Sequence, residues 1–211
     1  MTAIPSPPLL VISDRTLCRG DVVDVLGAAF HGGAHWAMLR EKDLPLDAVR
    51  DLARRLVTAA EPLGATVLIS GEAEIALEVG AAGVHLPQGR SVALARQILG
   101  EDALIGVSAH SLDEARAAEA AGADYATLSP VFVTESKPGY GPALGLDEFG
   151  RIARAVSLPL IALAGVTAAN TPQCLAAGAA GIAVMGGVMR AADPRAATAA
   201  LIAALGAKTS A

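Results

Sequence analysis

The 211-residue chain is 53% hydrophobic and 18% charged, so it is long enough to bury a substantial core and too apolar to be disordered. A net charge of −5 at pH 7 excludes the basic footprint of a dedicated nucleic-acid-binding protein. Cys18 and Cys174 have no metal-site spacing, the N-terminus has no signal-peptide pattern, and no apolar run reaches membrane-spanning length, which together predict a cytoplasmic protein.

Eight short apolar runs predict the strands of a (β/α)8 barrel. They are nearly continuous in hydrophobicity, which is typical of parallel strands covered on both faces. The runs are 9–13, 35–39, 65–69, 83–86, 103–107, 124–128, 158–163 and 181–185. An open, doubly wound sheet is the alternative, but the segment after the first run lacks the glycine-rich fingerprint of that fold. We predict an α/β protein with a TIM barrel, as one domain over 1–211 with its core at about 9–205.

Amphipathic segments between these runs predict helices. In segment 46–60 one apolar stripe is expected to face the barrel, formed by Leu46, Val49, Leu52 and Leu56. Ser111 stands three residues before Glu114, a capping-box spacing that predicts the start of a helix over 111–121.

Two further patterns predict where helices begin and end. Asp193 followed by Pro194 is typical of a capping residue and a proline at the first helical position. A weak internal repeat places a glycine between the end of a helix and the next strand, where glycine supplies a left-handed cap. The repeat occurs in 79–86, 121–128 and 177–184.

Basic and polar residues follow strands 2 and 5, where a barrel of this kind builds its active site. Arg40 and Lys42 lie two residues apart, so on an extended segment both face the same side and can hold an anion; an ordinary charged loop is the alternative. Ser108 and His110 are expected at the mouth, with His110 acting as acid or base or lying near a helix N-terminus. His85 lies inside strand 4 and is expected to be a hydrogen-bonded core or barrel-interior histidine.

The segment after strand 6 supplies groups that phosphate oxygens need. Thr134 and Ser136 carry hydroxyls and Lys137 carries an ammonium group, and glycines nearby can expose backbone N–H groups. The alternative is a compact surface loop without a ligand.

Glycine turns follow the last two strands. Gly165 follows strand 7, while Gly186 and Gly187 follow strand 8 and open a short helix. Glycine lets a backbone approach a ligand closely, and a helix N-terminus favours an anion. The ends of strands 7 and 8 are the recurring phosphate site of this fold, so we predict a phosphate ester here, against the alternative of a plain tight turn.

Motifs along almost the whole chain carry a family resemblance. They are LLVISDR (9–15), LREKD (39–43), GVHLPQ (83–88), IGVSAHSLDEA (105–115), GADYATLSPVFVTESK (122–137), LPLIALAGVT (158–167) and AAGAAGIAVMGGV (176–188). In this order they resemble the thiamine phosphate synthase family and its sister family, the TenI thiazole tautomerases. The resemblance implies thiamine biosynthesis. The synthases join a thiazole phosphate to a pyrimidine methyl diphosphate, with Mg²⁺, and release pyrophosphate.

The resemblance also implies roles for the residues already singled out. Those matching the pyrimidine diphosphate side of the synthase site are Arg40, Lys42, Ser108, Thr134, Ser136 and Lys137. Those matching the thiazole-phosphate side, through backbone donors, are Gly165, Gly186 and Gly187.

The chain departs from the synthase pattern where that family binds Mg²⁺. The family motif Asn-Asp-Arg after strand 3 is Ser70-Gly71-Glu72 here, and the Asp after strand 4 is Arg90. The Gln before the basic motif is Met38. We therefore assign no metal ligands and no certain cofactor, and expect Arg90 to meet an anion directly.

Three functions stay open at this point. The first is a divergent synthase-type transferase, which is the family-level assignment. The second is a tautomerase that uses His110, because Pro130 stands where the tautomerases have their catalytic His. The third is a non-catalytic binder. All three predict small-molecule partners, with thiazole phosphate in each case and pyrimidine diphosphate in the first, and no nucleic acid or membrane; a homo-oligomer is compatible with each.

Overall fold

The computed structural model describes residues 2–134 and 142–206, in which the strands form a closed parallel barrel. They are β1 (Leu9–Ile12), β2 (Trp36–Leu39), β3 (Thr66–Ser70), β4 (Gly83–Leu86), β5 (Leu104–Ala109), β6 (Tyr125–Leu128), β7 (Leu160–Leu163) and β8 (Gly181–Val184). Each strand pairs with the next in chain order, and β8 pairs with β1. Ring closure confirms the predicted (β/α)8 barrel and rules out the open sheet.

Helices connect the strands around the outside of the ring. Within the described ranges they are α1 (Val22–His31), α2 (Leu46–Ala60), α3 (Ala73–Val79), α4 (Val92–Leu99), α5 (Leu112–Ala120), α6 (Gly145–Ala153), α7 (Thr171–Ala176), α8 (Gly186–Met189) and α9 (Pro194–Gly206). Short 3-10 helices cover Arg15–Leu17 and Glu61–Leu63. None of these helices has the length and apolar character needed to cross a membrane.

Three of the differences from the predicted elements have a physical reason in the structure. β5 continues two residues further, because Ser108 and Ala109 stay paired with β6. β7 begins only at Leu160, since Pro159 has no amide hydrogen to donate to a neighbouring strand. Helix α2 has the predicted bounds, but Leu46 is 54% exposed and so lies outside the apolar stripe, whose other three members are buried. As the first residue of α2, Leu46 stands at the helix end rather than against the barrel.

The predicted glycine ends of helices are confirmed. Gly80, Gly122 and Gly178 have φ of 69°, 79° and 98°, in the left-handed region that side chains with a Cβ disfavour. In each case the next strand begins three residues later, so these glycines turn the chain directly from helix to strand.

The predicted helix starts are confirmed as well. Ser111 Oγ accepts a hydrogen bond from Glu114 N at 3.2 Å, and Asp193 Oδ1 accepts from Ala196 N at 2.9 Å. The carboxylate of Glu114 accepts from the backbone N–H of His110 at 2.6 Å, one residue earlier than a standard capping box. The start of α5 is thereby tied to the end of β5.

Side chains alternate between the barrel interior and the layer of helices. In β2, Trp36 and Met38 point inward, whereas Ala37 and Leu39 pack with the helices. The buried interior cluster consists of Leu10, Ile12, Trp36, Met38, Leu68, Leu104, Tyr125, Ile161 and Ala183. The rings of Trp36 and Tyr125 meet edge to face at a centroid distance of 4.8 Å. Because these side chains fill the ring, a ligand can approach only its rim.

The segment before β1 closes the bottom of the barrel. Ile4 packs against the interior cluster, and the amide of Thr2 donates to Asp124 Oδ1 at 2.6 Å. Asp124 Oδ2 also accepts from Ile105 N and from Arg96 Nη2, both at 2.8 Å. One buried carboxylate therefore joins the N-terminal segment to α4 and β5.

Replacing Asp124 with asparagine is expected to lower the free energy of unfolding by about 2–3 kcal/mol. An amide has only one oxygen, so its NH2 group faces one of the present N–H donors and that hydrogen bond is lost. Urea unfolding measures the change. Asp51→Asn, which removes an exposed partner of Arg54, is the control and should cost no more than about 0.5 kcal/mol. Equal losses in both variants would contradict the assigned role.

Candidate functional site

The C-terminal ends of the strands form one rim, which we call the mouth. The inward alternation of β2 continues from Met38 to Arg40, so Arg40 lies at its base. Strand pairing places Ser70 beside His85 and Ser108 beside Thr127 at a similar level. Sequence analysis had predicted Arg40 and Ser108 at this end of the barrel, and the structure brings them to the same surface.

A buried hydrogen-bond chain supports the base of the mouth. His85 Nδ1 lies 2.9 Å from the hydroxyl of Tyr125, and Nε2 lies 3.0 Å from Ser108 Oγ and 3.4 Å from Thr127 Oγ1. Burial, and secondly the charge of Arg40, lower the pKa of His85 to about 3. The imidazole is therefore neutral and orients the Ser108 hydroxyl. This agrees with the prediction of a hydrogen-bonded interior histidine.

The pKa of His85 predicts an acid-dependent loss of stability. Between pH 6.5 and about 3 the unfolded chain takes up a proton at this position and the folded protein does not. The stabilisation is fully present above pH 6.5 and decreases as the pH falls, by about 2 kcal/mol at pH 5. Urea unfolding at both pH values measures it.

Substitution isolates the contribution of this histidine to the pH dependence. His85→Gln should lower stability at pH 7.5 and flatten its change between pH 7.5 and 5 by about 2 kcal/mol. His31→Gln, at an exposed position of α1, should leave that change intact. A His85→Gln variant that keeps the wild-type pH dependence would show that other groups cause it.

The loops after β1 and β2 are locked together by a buried carboxylate. Glu41 accepts hydrogen bonds from Ser13 Oγ at 2.6 Å and from Arg15 N at 3.1 Å. Ser13 Oγ in turn accepts from the backbone N–H of Arg40 at 2.8 Å. The backbone of Arg40 is thus fixed at the end of β2. Sequence analysis did not assign Ser13 or Glu41 a role. The position of the acidic Glu41 between two basic residues, Arg40 and Lys42, was the one signal that could have indicated a structural role.

The ends of β3 and β4 do not fit a magnesium site. Arg90 Nη2 lies 3.5 Å from the carbonyl oxygen of Gly71, so a guanidinium covers the two positions that the family resemblance associates with Mg²⁺. Throughout 2–134 and 142–206 there is no group of three His, Cys, Asp or Glu side chains placed to hold a metal. Mg²⁺ requires oxygen ligands in near-octahedral geometry, and a guanidinium supplies none.

The loops after β6 and β7 meet at Gly165. The amides of Val131 and Phe132 donate to the carbonyls of Leu163 and Ala164 at 3.0 and 3.1 Å. Gly165 has φ of 66°, and a Cβ there would lie 2.6 Å from Phe132 Cβ. Asn170 Nδ2 donates to the Gly165 carbonyl at 2.9 Å. The backbone at this turn is therefore held from both sides, and only glycine fits it.

The predicted short helix after β8 is confirmed as α8, with Gly186 and Gly187 as its first residues. Gly187 is exposed, and a Cβ there would meet nothing within 4 Å. The guanidinium of Arg190 covers Gly186, since a Cβ at Gly186 would lie 2.3 Å from Arg190 Nη2. Sequence analysis missed Arg190. The signal was its position four residues after Gly186, which puts both on one face of a helix.

The loop after β6 is described only in part. Thr134, predicted to bind phosphate, is half-buried at the end of the first described range. Ser136 and Lys137, the other two residues predicted there, lie outside the described residues.

His110 lies against this same loop. Its Nδ1 is 2.8 Å from the carbonyl oxygen of Ser129, which can only accept, so Nδ1 carries the proton and donates. The imidazole is thereby positioned beside Pro130, and the backbone N–H of His110 is bound to the start of α5.

Comparison with known proteins agrees with this architecture. Residues 9–188 match the family model described as "Thiamine monophosphate synthase". The chain is 42% identical to the thiamine-phosphate synthase of Methanoculleus marisnigri, covering 90% of both proteins. It is 37% identical to that of Roseiflexus sp. (strain RS-1), covering 90% of this chain and 82% of the relative.

A solved structure shares both the fold and the sequence similarity. Thiamine phosphate pyrophosphorylase from Pyrococcus furiosus superimposes with a TM-score of 0.84 at 32% identity, covering 93% of this chain and 94% of the other. More distant barrels, such as 3-hexulose-6-phosphate synthase with a TM-score of 0.71 at 20% identity, share the fold alone. Together with the family match over most of its length, these similarities establish that the chain belongs to the thiamine monophosphate synthase family.

Proposed function

We propose that this protein acts in thiamine biosynthesis and joins a thiazole phosphate to a pyrimidine methyl diphosphate, giving thiamine phosphate and pyrophosphate. The observation that carries the proposal is the placement of Arg40, a permanent cation, at the base of a mouth that also presents the glycine turns after β7 and β8. The names of the family and its relatives support the substrate class.

The thiazole phosphate is assigned to the ends of β7 and β8. Backbone N–H groups of Gly165, Gly186 and Gly187 supply neutral donors, and the guanidinium of Arg190 lies beside Gly186. Donors fixed in place before binding lose little entropy when the phosphate arrives. Thr134 and Ser136 are the hydroxyls proposed to complete the site.

The pyrimidine diphosphate is assigned to the other side of the mouth, near Arg40, Lys42 and Ser108. In the proposed reaction the bond between the pyrimidine methylene carbon and the diphosphate oxygen breaks, and the oxygen keeps the electron pair. The thiazole nitrogen then forms the new C–N bond. Fixed cations stabilise the charge that develops on the leaving group, and Lys137 is proposed to contribute a further one.

The experiment is incubation of the protein with both substrates, followed by detection of thiamine phosphate and pyrophosphate in equal amounts. Titration calorimetry with thiazole phosphate alone runs in parallel. Coupling products support the proposal. Binding of thiazole phosphate without coupling would overturn it and leave a non-catalytic binder or an isomerase.

A tautomerase is the second candidate, and the geometry of His110 favours it. Its imidazole lies beside Pro130, where the tautomerases have their catalytic His, and an imidazole can take a proton from one atom of the thiazole and return it to another. His110→Ala tests this role, with His31→Ala as the matched control. If His110→Ala loses isomerisation but keeps coupling, the protein has both activities and His110 serves only the first. If isomerisation is unchanged, His110 is not its acid or base.

We also propose a cellular compartment and an oligomeric state that are consistent with this function. A biosynthetic enzyme with free Cys18 and Cys174 thiols is expected in the reducing cytoplasm. Association into a homo-oligomer is testable by light scattering.

A further inference from the structure

We propose that this protein binds a diphosphate group without a divalent cation, through a cationic rim formed by Arg40 and Arg90, with the guanidinium of Arg90 standing in the position of a metal. The inference deepens the proposed function, because it states how the leaving group of the second substrate is held. The inference concerns only the side of the mouth formed by the ends of β2 to β4.

The position of Arg90 is the first observation. Its Nη2 lies 3.5 Å from the carbonyl oxygen of Gly71, so the side chain reaches from the end of β4 to the end of β3. Arg90 is exposed. A guanidinium has five donors in a planar fork that matches phosphate oxygens.

Neighbouring charges are the second observation. Arg40 lies close enough to His85 to lower its pKa, which places positive charge at the base of the mouth. Two acids of the loop after β2 are engaged elsewhere: Glu41 binds Ser13 and Arg15, and Asp43 pairs with Arg15. The side of the mouth at β2 to β4 therefore presents cations whose charge suits an anion.

A divalent cation and this rim exclude each other physically. Mg²⁺ needs several oxygen ligands at short distance, and the described residues offer no cluster of carboxylates to supply them. A guanidinium repels a metal ion and is always protonated at neutral pH. Because it bears its charge on N–H donors, it can neutralise a diphosphate and bind its oxygens directly.

Calorimetric titration with inorganic pyrophosphate tests the inference, once in excess EDTA and once in excess magnesium chloride. We expect binding in EDTA, and no tighter binding when magnesium is added. Arg90→Ala should weaken binding in EDTA about tenfold, as expected for the loss of one charge-assisted contact. Arg90→Lys should recover part of the affinity, because it keeps the charge and loses the fork.

Arg116→Ala, on the exposed outer side of α5, is the matched control and should bind pyrophosphate like the wild type. Binding of pyrophosphate only with magnesium, or wild-type affinity of Arg90→Ala, would overturn the inference. Thiazole phosphate separates this result from the proposed function. In the ring of eight strands β4 lies opposite β8, so Arg90→Ala should leave thiazole-phosphate affinity unchanged. Failure of the wild type to bind thiazole phosphate would count against the proposed function alone.

Discussion

Replacement of Arg40 with methionine is expected to slow coupling about a thousandfold, mainly through kcat. Methionine has a similar reach but no charge, so the developing charge on the leaving diphosphate loses the cation at the base of the mouth. The backbone N–H of Arg40 still donates to Ser13 Oγ, so the loop should keep its conformation. Steady-state kinetics with both substrates measures the effect.

A second readout separates this electrostatic effect from a structural one. Arg40 contributes to the lowered pKa of His85, so Arg40→Met should raise that pKa and reduce the loss of stability at acidic pH. Arg40→Lys should fall between the wild type and Arg40→Met, because it restores charge without bidentate donors. Arg116→Met serves as the control. Wild-type turnover in Arg40→Met would remove Arg40 from the catalytic machinery.

Replacement of Gly165 with alanine is expected to weaken binding of thiazole phosphate about a hundredfold. Its Cβ would lie 2.6 Å from Phe132 Cβ and 2.8 Å from the Val133 carbonyl oxygen, so the loop after β6 must move away from the loop after β7. The φ of 66° adds backbone strain for alanine. Both effects displace donors at the phosphate side of the mouth.

Calorimetry on Gly165→Ala gives the affinity, and thermal unfolding gives the cost in stability. Gly27→Ala, in α1 where an added Cβ meets nothing within 4 Å, is the matched glycine control and should bind normally. Normal affinity in Gly165→Ala would mean that this turn does not approach the phosphate.

The fold could be predicted because its signals are local. Each strand is a short apolar run, and each of the three glycine caps stands directly between a helix and a strand. The C-terminal end of β5 and the start of β7 were predicted wrongly. The ladder partners of Ser108 and the missing amide hydrogen of Pro159 decide them, and such effects depend on the neighbouring strand.

The site was predictable only in part, for the same reason. Arg40 and Ser108 could be assigned because the barrel rule links the end of a strand to the mouth. The bond from His85 to Tyr125 joins residues 40 positions apart, and the bond from Ser13 to Glu41 joins residues 28 apart. A short sequence motif cannot predict such hydrogen-bonded pairs, because their members come together only when the barrel closes.

The contacts at the bottom of the barrel affect the order in which parts of the chain fold. The amide of Thr2 is bonded to Asp124, which lies 122 residues further along the chain. During synthesis on the ribosome the segment before β1 therefore lacks this acceptor until Asp124, just before the sixth strand, has emerged. Pairing between successive strands can proceed meanwhile, because each needs only the strand made just before it. The segment before β1 is thus among the later ones to reach its final contacts, together with the pairing of β1 and β8.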